Sequence, residues 1–228
     1  MDCKNKAQAF NNERLNLGSD RTKIYENVRS ETQRKLDELT DRVNDKKDSL
    51  VKNDIKPALS TSYNVNTDKY YHFTNLTKDQ VKKMETVYHP YTKERINKLK
   101  MDEDEIFKSY EKFTNGAGTH AECLSLNESM LDEFCIKNHI NREEITQSLV
   151  DDLYEKNPGI FNQKPNDTII NVVNSWKLNN RNLATPGSPM PRCPHCKYVT
   201  LEADVLPEII EQETEHYKNN FPNLVFDK

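Results

Sequence analysis

Apolar residues are scarce in this 228-residue chain: they make up 34% of it, against 31% charged. Ordinary soluble domains run at about 45–50% apolar on a count that includes glycine. No stretch approaches the roughly 18 consecutive apolar residues of a membrane-spanning helix, which excludes a helical membrane protein. Lys4 and Lys6 are followed by no apolar run, so no secretory signal peptide is expected. The chain is therefore expected to act in the cytoplasm or to be secreted by a leaderless route. The formal charge of −4 lacks the basic excess of a wholesale polyanion binder. The five cysteines are odd in number and widely spread. They make a poor disulfide framework and a better supply of thiols or metal ligands.

What is present is unevenly distributed. Residues 1–112 hold 23 Lys and Arg against 20 Asp and Glu, a net +3, whereas residues 113–228 hold 10 against 17, a net −7. Four of the five cysteines and the single Trp lie in the second part. The sequence therefore divides into a charged helical N-terminal region, 1–112, suited to docking, dimerising or trafficking, and a chemically richer domain, 113–228.

From Asp20 to Val51 the sparse apolar residues Ile24, Val28, Leu36, Leu39, Val43, Leu50 and Val51 form one narrow helical stripe. Such a helix must lie against something. Pro57 and Ser60-Thr61-Ser62 end it. Thr77 with Gln80 reads as a capping box opening a second helix, which Pro90 interrupts. Asp102 and Glu105 could cap a third. Beyond the flexible turn Asn115-Gly116-Ala117-Gly118, helices fit His120–Phe134 and Arg142–Tyr154. The β-branched run Thr168–Trp176 reads as a buried strand. A breaker-rich loop, Ala184–Pro191, leads to a short helix at Arg192–Val199 and another at Pro207–Asn220, with a closing strand at Asn223–Phe226. Helices alternating with strands predict an α/β sandwich.

Two short pieces carry chemistry. His120-Ala121-Glu122 follows the Gly-rich turn at a helix start, and Cys193-Pro194-His195-Cys196 follows the Pro-rich loop. H-x-E followed by P-C-x-x-C is the signature of zinc deaminases, in which the Glu is the acid/base and not a ligand. A catalytic zinc takes three protein ligands and keeps one position open. His120, Cys193 and Cys196 supply one imidazole and two thiolates, and a helix start favours thiolate over thiol. Two other chemistries stay open on the same residues. Cys-Pro-His-Cys also reads as a thiol–disulfide oxidoreductase motif, although Pro186–Arg192 is not the strand that reading wants. A non-catalytic, zinc-stabilised binding module would need a fourth ligand, which Cys123 or His195 could supply.

The segment Gly118-Thr119-His120-Ala121-Glu122-Cys123-Leu124-Ser125-Leu126-Asn127 is similar to the metal-binding helix of the YwqJ-like branch of bacterial toxin deaminases. Met190-Pro191-Arg192-Cys193-Pro194-His195-Cys196 resembles that branch's second motif. The resemblance covers Phe113 to Lys228. It implies a cytidine-deaminase-like α/β/α sandwich with a mixed five-stranded sheet and Zn²⁺ between two helix starts. It implies His120, Cys193 and Cys196 as ligands and Glu122 as proton shuttle. It further implies a toxin effector acting on nucleic acids or nucleotides, for which an immunity protein could be a partner; the paired motif itself leads us to expect hydrolytic deamination of a cytosine base, with adenine as the alternative. The residue before the first cysteine is Arg192 where the general signature has Pro, and the long gap from Glu122 to Cys193 includes an extra helical piece at Arg142–Tyr154.

Further residues have two readings each. Arg192 could hold a substrate phosphate or close a loop. His195 could touch substrate or sit in a surface turn. Trp176 and Arg181 could stack and steer a base, or Trp176 could belong to the core. Cys123 and Cys135 read as buried free thiols. The charged helix 20–51 is a solvated face or a homo-oligomer contact.

Overall fold

A computed structural model describes residues 3–50, 56–101, 116–175, 185–220 and 222. The long helix α1 (Cys3–Asn44) is followed by the hairpin β1 (Ala58–Asn64) and β2 (Lys69–Thr74), then by α2 (Lys78–Lys83) and α3 (Pro90–Met101). After residue 115 come α4 (Ala121–Asn138), α5 (Gln147–Lys156), β3 (Thr168–Asn174), α6 (Pro194–Val199), β4 (Asp204–Val205) and α7 (Pro207–Asn220). Among the described residues the strands form one sheet in the order β2-β1-β3-β4. β1 is antiparallel to both its neighbours, and β4 is parallel to β3. The strand expected at Asn223–Phe226 and the helix expected after Asp102 lie outside the described residues.

Helices cover both faces of the sheet. α4 lies on one face, where Ser60 and Ser62 of β1 hydrogen-bond Ser125, Asn64 reaches Ser129 and Glu133, and Thr168 of β3 meets Ser129. α1 lies on the other. Leu36 and Leu39 pack on Leu59 and Val173, Asn171 donates to Thr32, and the His72 ring meets Glu31. The α1 stripe read from sequence therefore faces this sheet. Arg29 on α1 holds Glu208 on α7 through two bonds of 2.6 and 2.8 Å. The main core joins Ala121, Leu126 and Met130 of α4 to Ile169, Ile170 and Val172 of β3, and to Val205, Leu206 and Ile209. This is the α/β sandwich expected from the sequence.

β1, from before residue 112, pairs with all seven residues of β3, from after it. The helix expected from Asp20 to Val51 ends at Asn44, so Pro57 does not end it; Ser60-Thr61-Ser62 lie instead in β1, whose Ser60 and Ser62 hydroxyls are buried against α4. Pro90, expected to interrupt a helix, is the first residue of α3, where its missing N–H and fixed φ suit a helix start. The capping box at Thr77 and Gln80 forms as expected, and α2 ends at Lys83.

A buried histidine links α3 to the core. His89 is 1% exposed. Its Nδ1 accepts the Tyr91 N–H at 3.2 Å and its Nε2 lies 3.0 Å from Gln163 Oε1, an arrangement that fits the neutral ring with its proton on Nε2. Burial lowers its pKa to about 4. The unfolded chain binds that proton more readily, so the stabilisation is whole above the unfolded pKa of about 6.5 and lost as pH falls toward 4, by ~3 kcal/mol. Urea unfolding between pH 7 and 4 should therefore show wild type losing stability more steeply than His89→Gln. Parallel pH profiles would refute the assignment.

Candidate active site

Two helix starts meet at the site. His120 is the N-cap residue of α4 but makes no side-chain cap there, which leaves its imidazole to point elsewhere. Asn75, just after β2, caps the helix instead, its Oδ1 accepting the Ala121 N–H at 2.8 Å. Leu76 N–H donates to Thr119 O at 3.1 Å, pinning the end of β2 to the turn before α4. Cys193 is the N-cap of α6, with its Sγ accepting the Cys196 N–H and Pro194 in the first turn. The C-x-x-C spacing thus places both sulfurs at one helix end.

His120 Nδ1 lies 3.1 Å from Cys196 Sγ and 3.3 Å from Cys193 Sγ. The two sulfurs are 3.3 Å apart, well beyond the roughly 2.05 Å of a disulfide, and both cysteines are free thiols. Among the described residues these three form the one group of His, Cys, Asp or Glu atoms close enough to hold a metal, all within 4.8 Å of one another. A tetrahedral zinc with Zn–S near 2.3 Å and Zn–N near 2.05 Å would set such ligand pairs about 3.5–3.8 Å apart. The trio fits zinc with a small outward relaxation. Cys123 hydrogen-bonds Cys196 but falls outside the trio, so the donor set is three residues and not a closed four.

The electrostatics prepare these groups for that role. The neighbouring Cys196, with His120 and the Cys196 amide, holds the Cys193 thiol well below its usual range, and burial pushes Cys196 well above. Burial opposes charge on His120, but the hydrogen bond from Cys193 outweighs it and raises the imidazole to about 9. Glu122 is 3% exposed, with Oε2 3.6 Å from Cys196 Sγ. Burial raises its pKa above the usual carboxylate range. A buried carboxyl beside this trio and outside it is placed to exchange protons with a group held there.

Two of the remaining candidates, Arg192 and His195, lie beside the cysteines in sequence. Arg192 is buried, with its guanidinium bonded to Glu213 and Thr200, which favours loop closure over phosphate binding. His195 is 3% exposed, which corrects its reading as a surface turn. Cys123 and Cys135 are buried, as expected. Trp176 and Arg181 lie outside the described residues. Asn75, Tyr88 and Ile96 are site-wall residues the sequence reading missed, because each reaches the site from the N-terminal region through the tertiary fold. Gly118 shows why the turn before His120 is glycine-rich. Its φ is +89°, and a Cβ there would fall 2.5 Å from Ile96 Cδ1 and 3.3 Å from the Tyr88 hydroxyl. Gly118→Ala should lower stability by about 1–3 kcal/mol, read from thermal melts.

An α/β sandwich that sets a histidine and two cysteines at paired helix starts beside a buried glutamate defines a deaminase-like protein. The model of the YwqJ-like deaminase family matches residues 46–205, and the chain belongs to that family. It is 28% identical over 189 residues to Toxin YwqJ of Bacillus subtilis (strain 168), across 81% of this chain and 24% of that protein. The chain thus spans about a quarter of the curated relative it matches. No solved structure matches it.

Proposed function

We propose that the protein is a zinc-dependent hydrolytic deaminase of cytosine bases and acts as a toxin effector. The observation that carries this reading is the convergence of His120 Nδ1, Cys193 Sγ and Cys196 Sγ beside the buried Glu122 carboxyl. His120, Cys193 and Cys196 would hold the metal. Bound zinc supplies a Lewis acid that makes water a strong nucleophile at neutral pH. Glu122 would accept one proton from the attacking water at Oε2 and deliver it to the ring nitrogen, where it stays, then take the second proton from the newly added hydroxyl and deliver it to the amino group, which leaves as ammonia. Water and the amine of cytosine are exchanged for uracil and ammonia. The toxin reading is supported by the name of the Bacillus relative, and an immunity protein is its natural partner.

The purified protein should carry one zinc, measured by elemental analysis. Cys196→Ser or His120→Ala should lose it, with ammonia release abolished in parallel. A metal-free, fully active wild type would overturn the reading. Sequencing DNA and RNA from cells that express the protein should show C-to-T or C-to-U changes if the base is taken from a polymer. If sequences stay unchanged while free cytidine or its nucleotides release ammonia, the substrate is the small molecule.

The exchange of thiols and disulfides finds little support. The chain enters Cys193 through Met190-Pro191-Arg192, outside any strand. The binding-module alternative needs a fourth protein ligand, and Cys123 lies outside the trio.

A further inference from the structure

We infer that Arg192, together with Glu213, Thr200 and Tyr217, is a positioning clamp that holds the two cysteines of α6 in metal-binding geometry. α6 has six residues, about one and a half turns, too few for an isolated helix to hold itself. Yet its N-cap and first turn carry two of the three site ligands. Something outside the helix must fix it.

Arg192, immediately before Cys193, grips both ends of α6. Its guanidinium Nε and Nη2 donate to the two oxygens of Glu213 at 2.5 and 2.9 Å. Its Nη1 reaches across to Thr200 Oγ1 at 2.7 Å and Thr200 O at 3.3 Å. Thr200 is the C-cap residue of α6, and its hydroxyl in turn donates to Cys196 O at 2.7 Å. The backbone of Arg192 is held as well. Its N–H donates to Glu213 Oε1 at 3.2 Å, and its carbonyl accepts from the Tyr217 hydroxyl at 2.9 Å. Both anchors, Glu213 and Tyr217, belong to α7. The ion pair is sealed from water, with side-chain exposures of 6% and 2%.

Nε, Nη1 and Nη2 each have a partner in this fork, a planar geometry that lysine could not reproduce. The arrangement costs more in desolvation than an apolar pair of the same volume would. A stability role alone would be met as well by packed apolar side chains. What only the fork supplies is a fixed distance from Cys193, through Arg192, to the far cap of α6. Outer partners of this kind orient ligands, and losing them typically weakens metal binding about 10–100-fold.

The test compares wild type with two variants in the full chain. Arg192→Met/Glu213→Leu replaces the buried pair with apolar groups, leaving the part-exposed Lys197 without its 3.7 Å ion pair to Glu213. Tyr217→Phe removes only the hydrogen bond to the Arg192 carbonyl and keeps the ring against Lys197. Zinc affinity is measured by competition with a chromophoric chelator, and ligand geometry by the visible absorption of the cobalt(II)-loaded protein. We expect both variants to melt cooperatively, bind zinc about tenfold or more weakly, and show a shifted cobalt spectrum. Zinc affinity within twofold of wild type and an unchanged spectrum in the variants would overturn the clamp. Should the double variant fail to fold, Tyr217→Phe decides by the same two readouts. The inference rests on the site being a metal centre. Wild type that binds no zinc defeats that reading, whereas variants that bind it as wild type does defeat the clamp alone.

Discussion

Glu122→Gln should keep its zinc and lose deaminase activity by about 10²–10⁴-fold, the usual worth of a positioned acid/base group. The amide has the shape of the carboxyl but cannot take a proton from water or return one to the ring. Zinc should stay because the mutually close trio is His120, Cys193 and Cys196, and Glu122 is not part of it. Folding should not suffer either. The wild-type carboxyl sits in a fully buried position that already disfavours its charge, so a neutral side chain relieves a cost. The melting temperature should hold or rise while ammonia release collapses. Glu122→Asp should also be slow, because a shift of about 1 Å in a reacting group can cost ~10²-fold. Full activity in Glu122→Gln would sink the mechanism, and loss of zinc with activity would recast Glu122 as a ligand.

The site was more legible in the sequence than the sheet that carries it. His120, Glu122, Cys193 and Cys196 stand out because metal chemistry restricts both residue type and spacing, and the structure brings the three proposed ligands within 3.3 Å of one another. β3 was legible because its residues are β-branched and buried on both faces. β1 was not. Its inward residues Ser60, Ser62 and Asn64 are polar and find their partners on α4, some 65 residues away, so no apolar alternation marks it. α3 was hidden by Pro90, which breaks a helix from inside but favours one from its first position. Arg192 was half legible. The sequence left phosphate binding and loop closure open, and the partner that decides between them, Glu213, lies 21 residues on in another helix.

The same hidden strand governs what the C-terminal part can do alone. Residues 113–228 carry all four site residues, yet expressed without residues 1–112 they should show no cooperative thermal transition and should not bind zinc. β3 is buried at every position and pairs with β1 from Thr168 to Asn174. Without β1, seven residues of a hydrophobic strand would present an open edge, a template for aggregation. The opposite face would be stripped too, since Val28, Leu36 and Leu39 of α1 are each 9% exposed or less. Burying three such side chains contributes about 1.5–3 kcal/mol apiece, together comparable to the whole stability of a typical domain, about 5–15 kcal/mol. Helix α4 would lose Asn75 at its first amide, and with it the hold on His120. Circular dichroism melts, amide dispersion in NMR spectra and zinc content of the fragment would check this. A folded, zinc-loaded fragment would show that the N-terminal strands and helix are additions to the domain, and not part of its core.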